Sequence, residues 1–107
     1  MNTRLTGTNL IISLQIRRLI NDKFTSKLEQ ILPQYRQNLK KASLSIHRDK
    51  KYKNYTLKFD MSLPGSKKPI FAQTSHQDLT AAIVDLREAI EKQIKKYKQD
   101  QVNYSLG

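Results

Sequence analysis

The sequence predicts an α+β fold: a two-layer sandwich of a four-stranded, mostly antiparallel sheet with two helices on one face. Three observations carry that prediction. Two segments repeat apolar residues every three to four positions, the period of an amphipathic helix. Between them, three segments alternate apolar and polar residues, the period of a half-buried strand. A short Thr-rich stretch ahead of the first helix completes the order β-α-β-β-β-α, in which strands with one apolar face are covered by two helices.

Each element has its own signal. Arg4 to Leu10, "RLTGTNL", is short, Thr-rich and carries a glycine, which suits a first strand running into a turn. Ser13 then serves as an N-cap, its hydroxyl accepting an otherwise free backbone N–H. From Ile16, the residues Leu19, Ile20, Phe24, Leu28 and Ile31 form one helical stripe, which predicts a helix over about residues 14–31 with Pro33 ending it. Lys27 breaks this pattern. Its helical angle lies near Ile20 and Ile31, so it must extend its stem along apolar surface or the helix must be irregular there.

In "KKASLSIHR", Ala42, Leu44 and Ile46 alternate with polar residues, and in "YTLKFDMSL" Tyr55, Leu57, Phe59, Met61 and Leu63 do the same. "LPGSKKP" supplies a Pro-Gly turn, and "IFAQTS" returns as a shorter strand. The outer sheet face, with Lys41, Ser45, His47, Lys58 and Asp60, is expected to stay wet. Ser75 and Asp78 match a capping box with Asp in place of Glu, and open a second helix. Its apolar stripe is Leu79, Ala82, Ile83, Leu86, Ile90, Ile94 and Tyr97. The periodicity then lapses, which predicts a single domain over 1–107, ordered over about 3–98, with a frayed tail at 99–107.

The 107 residues include no cysteine, so disulfides and cysteine-bearing zinc sites are excluded. The longest apolar run, around "LIISLQI", is too short to cross a bilayer, and the N-terminus lacks the layout of a secretory signal. These features suit a soluble cytoplasmic protein. Twenty Lys and Arg against nine Asp and Glu give a net charge of +11. Such a surface is either merely solvated or matched to a polyanion, where each neutralised phosphate releases counterions.

The second helix sharpens that choice. At about 100° per residue, Arg87, Lys92, Lys95, Lys96 and Lys98 lie away from its apolar stripe. Glu88 stands four before Lys92 and Glu91 four before Lys95, an order that favours ion pairs. Two glutamates leave an excess of positive charge, some of it favourable beside a helix C-terminus. Arg17, Arg18, Lys23 and Lys27 add to it from the first helix, followed by Arg36, Lys40 and Lys41. Further cations crowd two loops, Arg48, Lys50, Lys51 and Lys53 in one and Lys67 and Lys68 in the other.

Tyr52 and Tyr55 flank a basic loop and suit base stacking; Tyr55 equally suits the core, with Tyr52 as a loop anchor. His47 and His76 sit in no metal-ligand spacing, and Asp78 is better used as a cap than as half of an acid pair with Asp85. No Gly-rich phosphate loop or nucleophile motif occurs, so no enzyme, metal or cofactor is expected.

Two stretches carry a family resemblance. "IFAQTSHQDLTAAIVDLREAIEKQIKKYK" is similar to the closing strand and last helix of the ribosome hibernation promoting factor family in its short form, which includes the ribosome-associated inhibitor, or ribosomal subunit interface protein. That helix in the family reads Asp-Met-Tyr-x-Ala-Ile-[Asp/Asn] and ends in Leu-x-x-Gln-[Leu/Ile]-x-Lys. "ISLQIRRLINDKFTSKLEQ" resembles the family's first helix, and the similarity spans about residues 4–98. Leu79-Thr80 stands where the family has Met-Tyr, Val84 where it has Asp or Asn, and Lys23 and Lys27 are four apart rather than three.

The resemblance implies the β-α-β-β-β-α sandwich, similar in shape to double-stranded-RNA-binding domains. It also implies a monomer that binds small-subunit ribosomal RNA in the decoding groove and occludes the tRNA and mRNA sites under stress or in stationary phase. Phosphate contacts carry over to Arg17, Lys23, Lys27, Lys92, Lys95 and Lys96, with Arg87 and Lys98 added on charge alone. The chain stops at Gly107 without the second domain or acidic tail of other members, so it looks most like the short factor that helps ribosomes pair with the aid of a second ribosome-pairing factor. The alternative is a general RNA- or DNA-binding module of the same fold. Membrane-surface binding would need an exposed apolar helix face, and both stripes are required for the core.

Overall fold

The computed structural model describes residues 2–31, 41–62 and 69–106. Strand β1 (Asn2–Thr8) leads into helix α1 (Leu14–Ile20), a π-helical turn (Asn21–Thr25) and helix α2 (Ser26–Ile31), which run on as one rod. Strands β2 (Lys41–Asp49), β3 (Asn54–Ser62) and β4 (Ile70–His76) follow, then helix α3 (Leu79–Leu106). The predicted order β-α-β-β-β-α is the observed one, and the four strands lie in the order β1-β2-β3-β4. β1 runs parallel to β2, as a helical crossover requires, and the other neighbours are antiparallel.

Alternation in sequence becomes two faces in the sheet. Leu44, Ile46, Leu57, Phe59 and Met61 are buried, while His47, Lys58 and Asp60 between them are exposed on the other side. A one-residue slip would invert every one of these assignments, so burial enforces the register. The helices cover the apolar face with Ile20, Phe24 and Leu28 from the first rod and Ala82, Ile83, Leu86, Ile90 and Ile94 from α3. Phe24 meets Phe59 edge-on, centroids 5.0 Å apart and planes at 72°, an arrangement the ring quadrupoles favour. Tyr55, Leu79 and Tyr97 pack at the margin of this core.

Ser13 is the N-cap of α1, its Oγ accepting from Ile16 N at 3.2 Å. The capping box expected from Ser75 and Asp78 does not form. Ser75 belongs to β4 and shares a hydrogen bond with Thr56 across the sheet, whereas Asp78 itself caps α3, accepting from Ala81 N at 3.2 Å. Strand pairing claims Ser75 first. Helix α3 is drawn through Leu106, with neither proline nor glycine before Gly107 to interrupt it.

The first turn differs in mechanism too. Gly7 lies within β1, and Asn9 supplies the left-handed residue (φ 57°). A Cβ at Gly7 would meet Leu10 O at 2.6 Å, so the glycine is there for close approach of the returning chain. The Pro-Gly turn at 64–65, with Lys67 and Lys68, and the helix stop at Pro33, with Arg36 and Lys40, lie outside the described residues.

Candidate nucleic-acid interface

The π-helical turn resolves the misplaced lysine. A π turn accommodates one more residue than an α turn, so the helix beyond it is rotated relative to an uninterrupted α register. Ile20 ahead of the turn, Phe24 within it and Leu28 after it all reach the core, while Lys27 is turned out to solvent. The irregularity begins at Asn21 and spans Lys23, and the apolar stripe continues through it from Ile20 to Leu28.

The same turn is fastened to α3. Arg87 donates from Nη1 to the carbonyl of Lys23 at 3.1 Å, and its Nε lies buried 3.1 Å from Glu91 Oε1 as a charge pair lacking hydrogen-bond alignment. Arg87 is therefore half-buried and spends its fork holding the two helical layers together. Glu91 consequently serves Arg87 rather than Lys95, which redirects one of the ion pairs expected on this helix. Lys92, Lys95 and Lys96 are exposed, and none of the three has a carboxylate partner among the described residues.

Helical geometry turns these groups outward together. At about 100° per residue, Lys92 and Lys95 lie about 60° apart on the face of α3 opposite the core, with Arg87 and Glu91 toward the first rod and Lys96 turned from Lys92 toward the Gln93 side that faces β4. Lys23 and Lys27 are exposed on the first rod. Arg17 is exposed too, but on a separate cleft beside β1 that it lines with Thr3, Asn21 and Thr25. Lys98 belongs to α3, its side chain outside the described set. The helical layer thus presents cations across its breadth, with Arg17 set apart and Arg87 committed internally.

Two further features frame this layer, the first without a local signal in the sequence and the second already marked there by its basic loop and Tyr52. β4 is laced to α3 by three ties: Thr74 Oγ1 donates to Ala82 O at 3.1 Å, His76 Nε2 meets Asp85 Oδ2, and Gln93 bonds the backbone of Phe71. These fix the angle at which Lys92 and Lys96 are displayed. The second is the β2–β3 hairpin, whose four-residue tip projects Lys50, Lys51, Tyr52 and Lys53, all exposed. Its signal, a charge-rich tetrad bounded by two strands, was visible, but the exposure of Tyr52 was not.

Among the described residues no group of three or more His, Cys, Asp or Glu is placed to hold a metal ion, and no helix is long and apolar enough to cross a membrane. Fold and charge together define a small basic α+β sandwich with a cation-bearing helical layer. The chain belongs to the family described as sigma 54 modulation protein / S30EA ribosomal protein, whose model matches residues 3–101. Its fold is similar to the N-terminal domain of Protein Y from Thermus thermophilus, at 26% identity over 91% of this chain and 99% of that one, with a TM-score of 0.73. It is also similar in fold to a ribosomal subunit interface protein from Coxiella burnetii, at 24% identity over 92% and 99%, with a TM-score of 0.68.

Proposed function

We propose that this protein is a cytoplasmic, non-catalytic translation silencer that binds the small ribosomal subunit as a monomer and occupies the decoding groove, where tRNA and mRNA would otherwise lie. The observation that carries the reading is the set of exposed lysines on α3, Lys92, Lys95 and Lys96, which have no carboxylate partner among the described residues, in a member of a ribosomal protein family. Exposed cations without carboxylate partners are free to neutralise RNA phosphates, and each such contact releases condensed counterions. Lys23 and Lys27 extend the surface across the first rod, and Arg17 adds a contact at its β1 side.

The mechanism is occlusion. Phosphate contacts position the protein without reading base sequence, so recognition follows the shape of folded ribosomal RNA. The sheet's outer face, with His47, Lys58 and Asp60 exposed, remains hydrated beside the bound body. Stress or stationary phase, when idle ribosomes accumulate, is the setting in which such occupancy protects rather than harms.

Co-sedimentation of the protein with purified small subunits tests the reading. Binding at low salt that falls steeply as salt rises, and that tRNA in the decoding sites blocks, is the expected result. Absence from the small-subunit fraction at low salt would sink it. Binding that persists with tRNA in place would point instead to a general RNA-binding module. The same gradients show whether bound ribosomes pair.

A further inference from the structure

We infer that the tip of the β2–β3 hairpin is a second nucleic-acid contact, where Tyr52 stacks on an unpaired base while Lys50, Lys51 and Lys53 hold the flanking phosphates. The inference rests on the RNA-binding reading above but concerns a different part of the molecule.

Tyr52 is 62% exposed, far more than Tyr55, which packs against the core. Its backbone is nevertheless held in place. Asp49 accepts from Lys51 N at 2.8 Å and from Tyr52 N at 3.2 Å, and Lys53 takes a left-handed conformation (φ 54°) that closes the loop onto the Asp49–Asn54 pair. Asp49 thus directs its negative charge at the loop's own N–H groups. The surrounding side chains are cationic: Arg48, Lys50, Lys51 and Lys53.

Two of those cations already lie on rings. Lys51 Nζ is 5.4 Å from the Tyr52 centroid, and the Arg48 guanidinium is 5.7 Å from that of Tyr55. An exposed ring among cations, on a braced turn, is the combination that holds single-stranded nucleic acid: a π-face for the base and charge for the backbone. A phosphate-only contact would need the lysines but not the ring.

Placement makes the tip a separate point of contact. Tyr55 pairs with His76, so the hairpin and the start of α3 share one end of the sheet. Lys92 lies about 20 Å further along α3 at 1.5 Å per residue. The protein would therefore grip RNA at two sites, folded RNA along the helical layer and an unpaired nucleotide at the hairpin.

The chain contains no tryptophan, so Tyr52→Trp introduces a single reporter at the tip. Titrating this variant with a short oligouridylate should quench its emission, and a blunt duplex of matched phosphate count should quench it far less. In parallel, Tyr52→Ala should weaken oligouridylate binding about ten-fold, while Tyr52→Phe, which keeps the ring, should stay within about two-fold of the parent. A reporter silent to oligouridylate, an unchanged Tyr52→Ala, or a response only to phosphatidylglycerol vesicles overturns the inference. Because these probes contain no ribosome, their outcome is independent of small-subunit co-sedimentation, and either result can fail without the other.

Discussion

Gln93 closes both backbone hydrogen bonds of Phe71. Its Oε1 accepts from Phe71 N at 3.2 Å and its Nε2 donates to Phe71 O at 2.6 Å, as a neighbouring strand would. β4 is an edge strand, and an unpaired edge is a template for pairing with another chain. One side-chain amide from α3 therefore blocks a site of strand addition while holding Lys92 and Lys96 at a fixed angle to the sheet. Gln93 is also the glutamine of the Leu-x-x-Gln-[Leu/Ile]-x-Lys pattern, which gives that position a structural role beside lysines read as RNA contacts.

Gln93→Leu should accordingly affect association more than stability. Water replaces the lost amide at an exposed edge, so the cost to folding is only about 1 kcal/mol. The opened edge should show as concentration-dependent dimers or larger species in sedimentation velocity, at concentrations where the parent is monomeric. A variant that stays monomeric would assign the protection of β4 to something other than Gln93.

Arg87 calls for a different expectation. Because its guanidinium bonds the Lys23 carbonyl and faces Glu91, Arg87→Lys should be nearly as damaging as Arg87→Met, each costing about 1–3 kcal/mol. Lysine keeps the charge but lacks the fork that reaches the carbonyl. Denaturant melts measure this directly. Recovery of parental stability by Arg87→Lys would show that charge, not geometry, is what this position needs.

Much of the fold was legible because burial imposes a period that sequence displays. Leu57, Phe59 and Met61 alternate with Lys58 and Asp60 in the chain, and they part to opposite faces in the sheet. The less legible features depend on partners distant in sequence. Ser75 and Asp78 fit a local capping motif, but the register opposite Thr56 decides that Ser75 is a strand residue. Arg87 and Lys23 are 64 residues apart, so no local pattern could reveal that one is bound to the other's carbonyl. Gln93 has meaning only once β4 is known to be an edge. Lys27 lay between these cases: its angle required either a snorkelling stem or an irregular helix, and the structure has the irregular helix, as a π turn.

That turn makes a deletion testable. Removing Thr25 places Lys23 and Lys27 three apart and allows one uninterrupted α-helix, with Leu28 still turned toward the core. The fold should survive with a change in stability under about 1 kcal/mol, or about 4–8 °C in melting temperature for a domain of this size. Deleting Lys58 from β3 is the control, since every later residue of that strand would change face. Circular dichroism melts separate the outcomes, and loss of folding in the Thr25 deletion would show that the π turn is required rather than accommodated.

Gly7→Ala probes the other end of the first rod. The new methyl would sit 2.6 Å from Leu10 O and 3.0 Å from two side-chain carbons of Ile12. A backbone carbonyl cannot swing aside as a flexible side chain does, so the β1–α1 connection must shift, at a cost of about 1–3 kcal/mol. A thermal melt matching the parent would mean the connection has more room than its geometry indicates.

The exposed lysines of α3 give the most direct test of what the helical layer faces. Charge removal by Lys92→Gln and Lys96→Gln leaves the core and the Gln93 tie untouched, so both variants should melt like the parent. If each lysine neutralises one phosphate, the double variant should lower the slope of log affinity against log salt by about two for small-subunit RNA. Lys95→Gln, about 60° round the helix from Lys92 on the same outward face, should lower it by about one more if it too neutralises a phosphate. Filter binding across a salt series reads these slopes. A double variant whose slope equals the parent's would show that these lysines face only water and counterions, and the RNA-facing surface would then have to lie elsewhere.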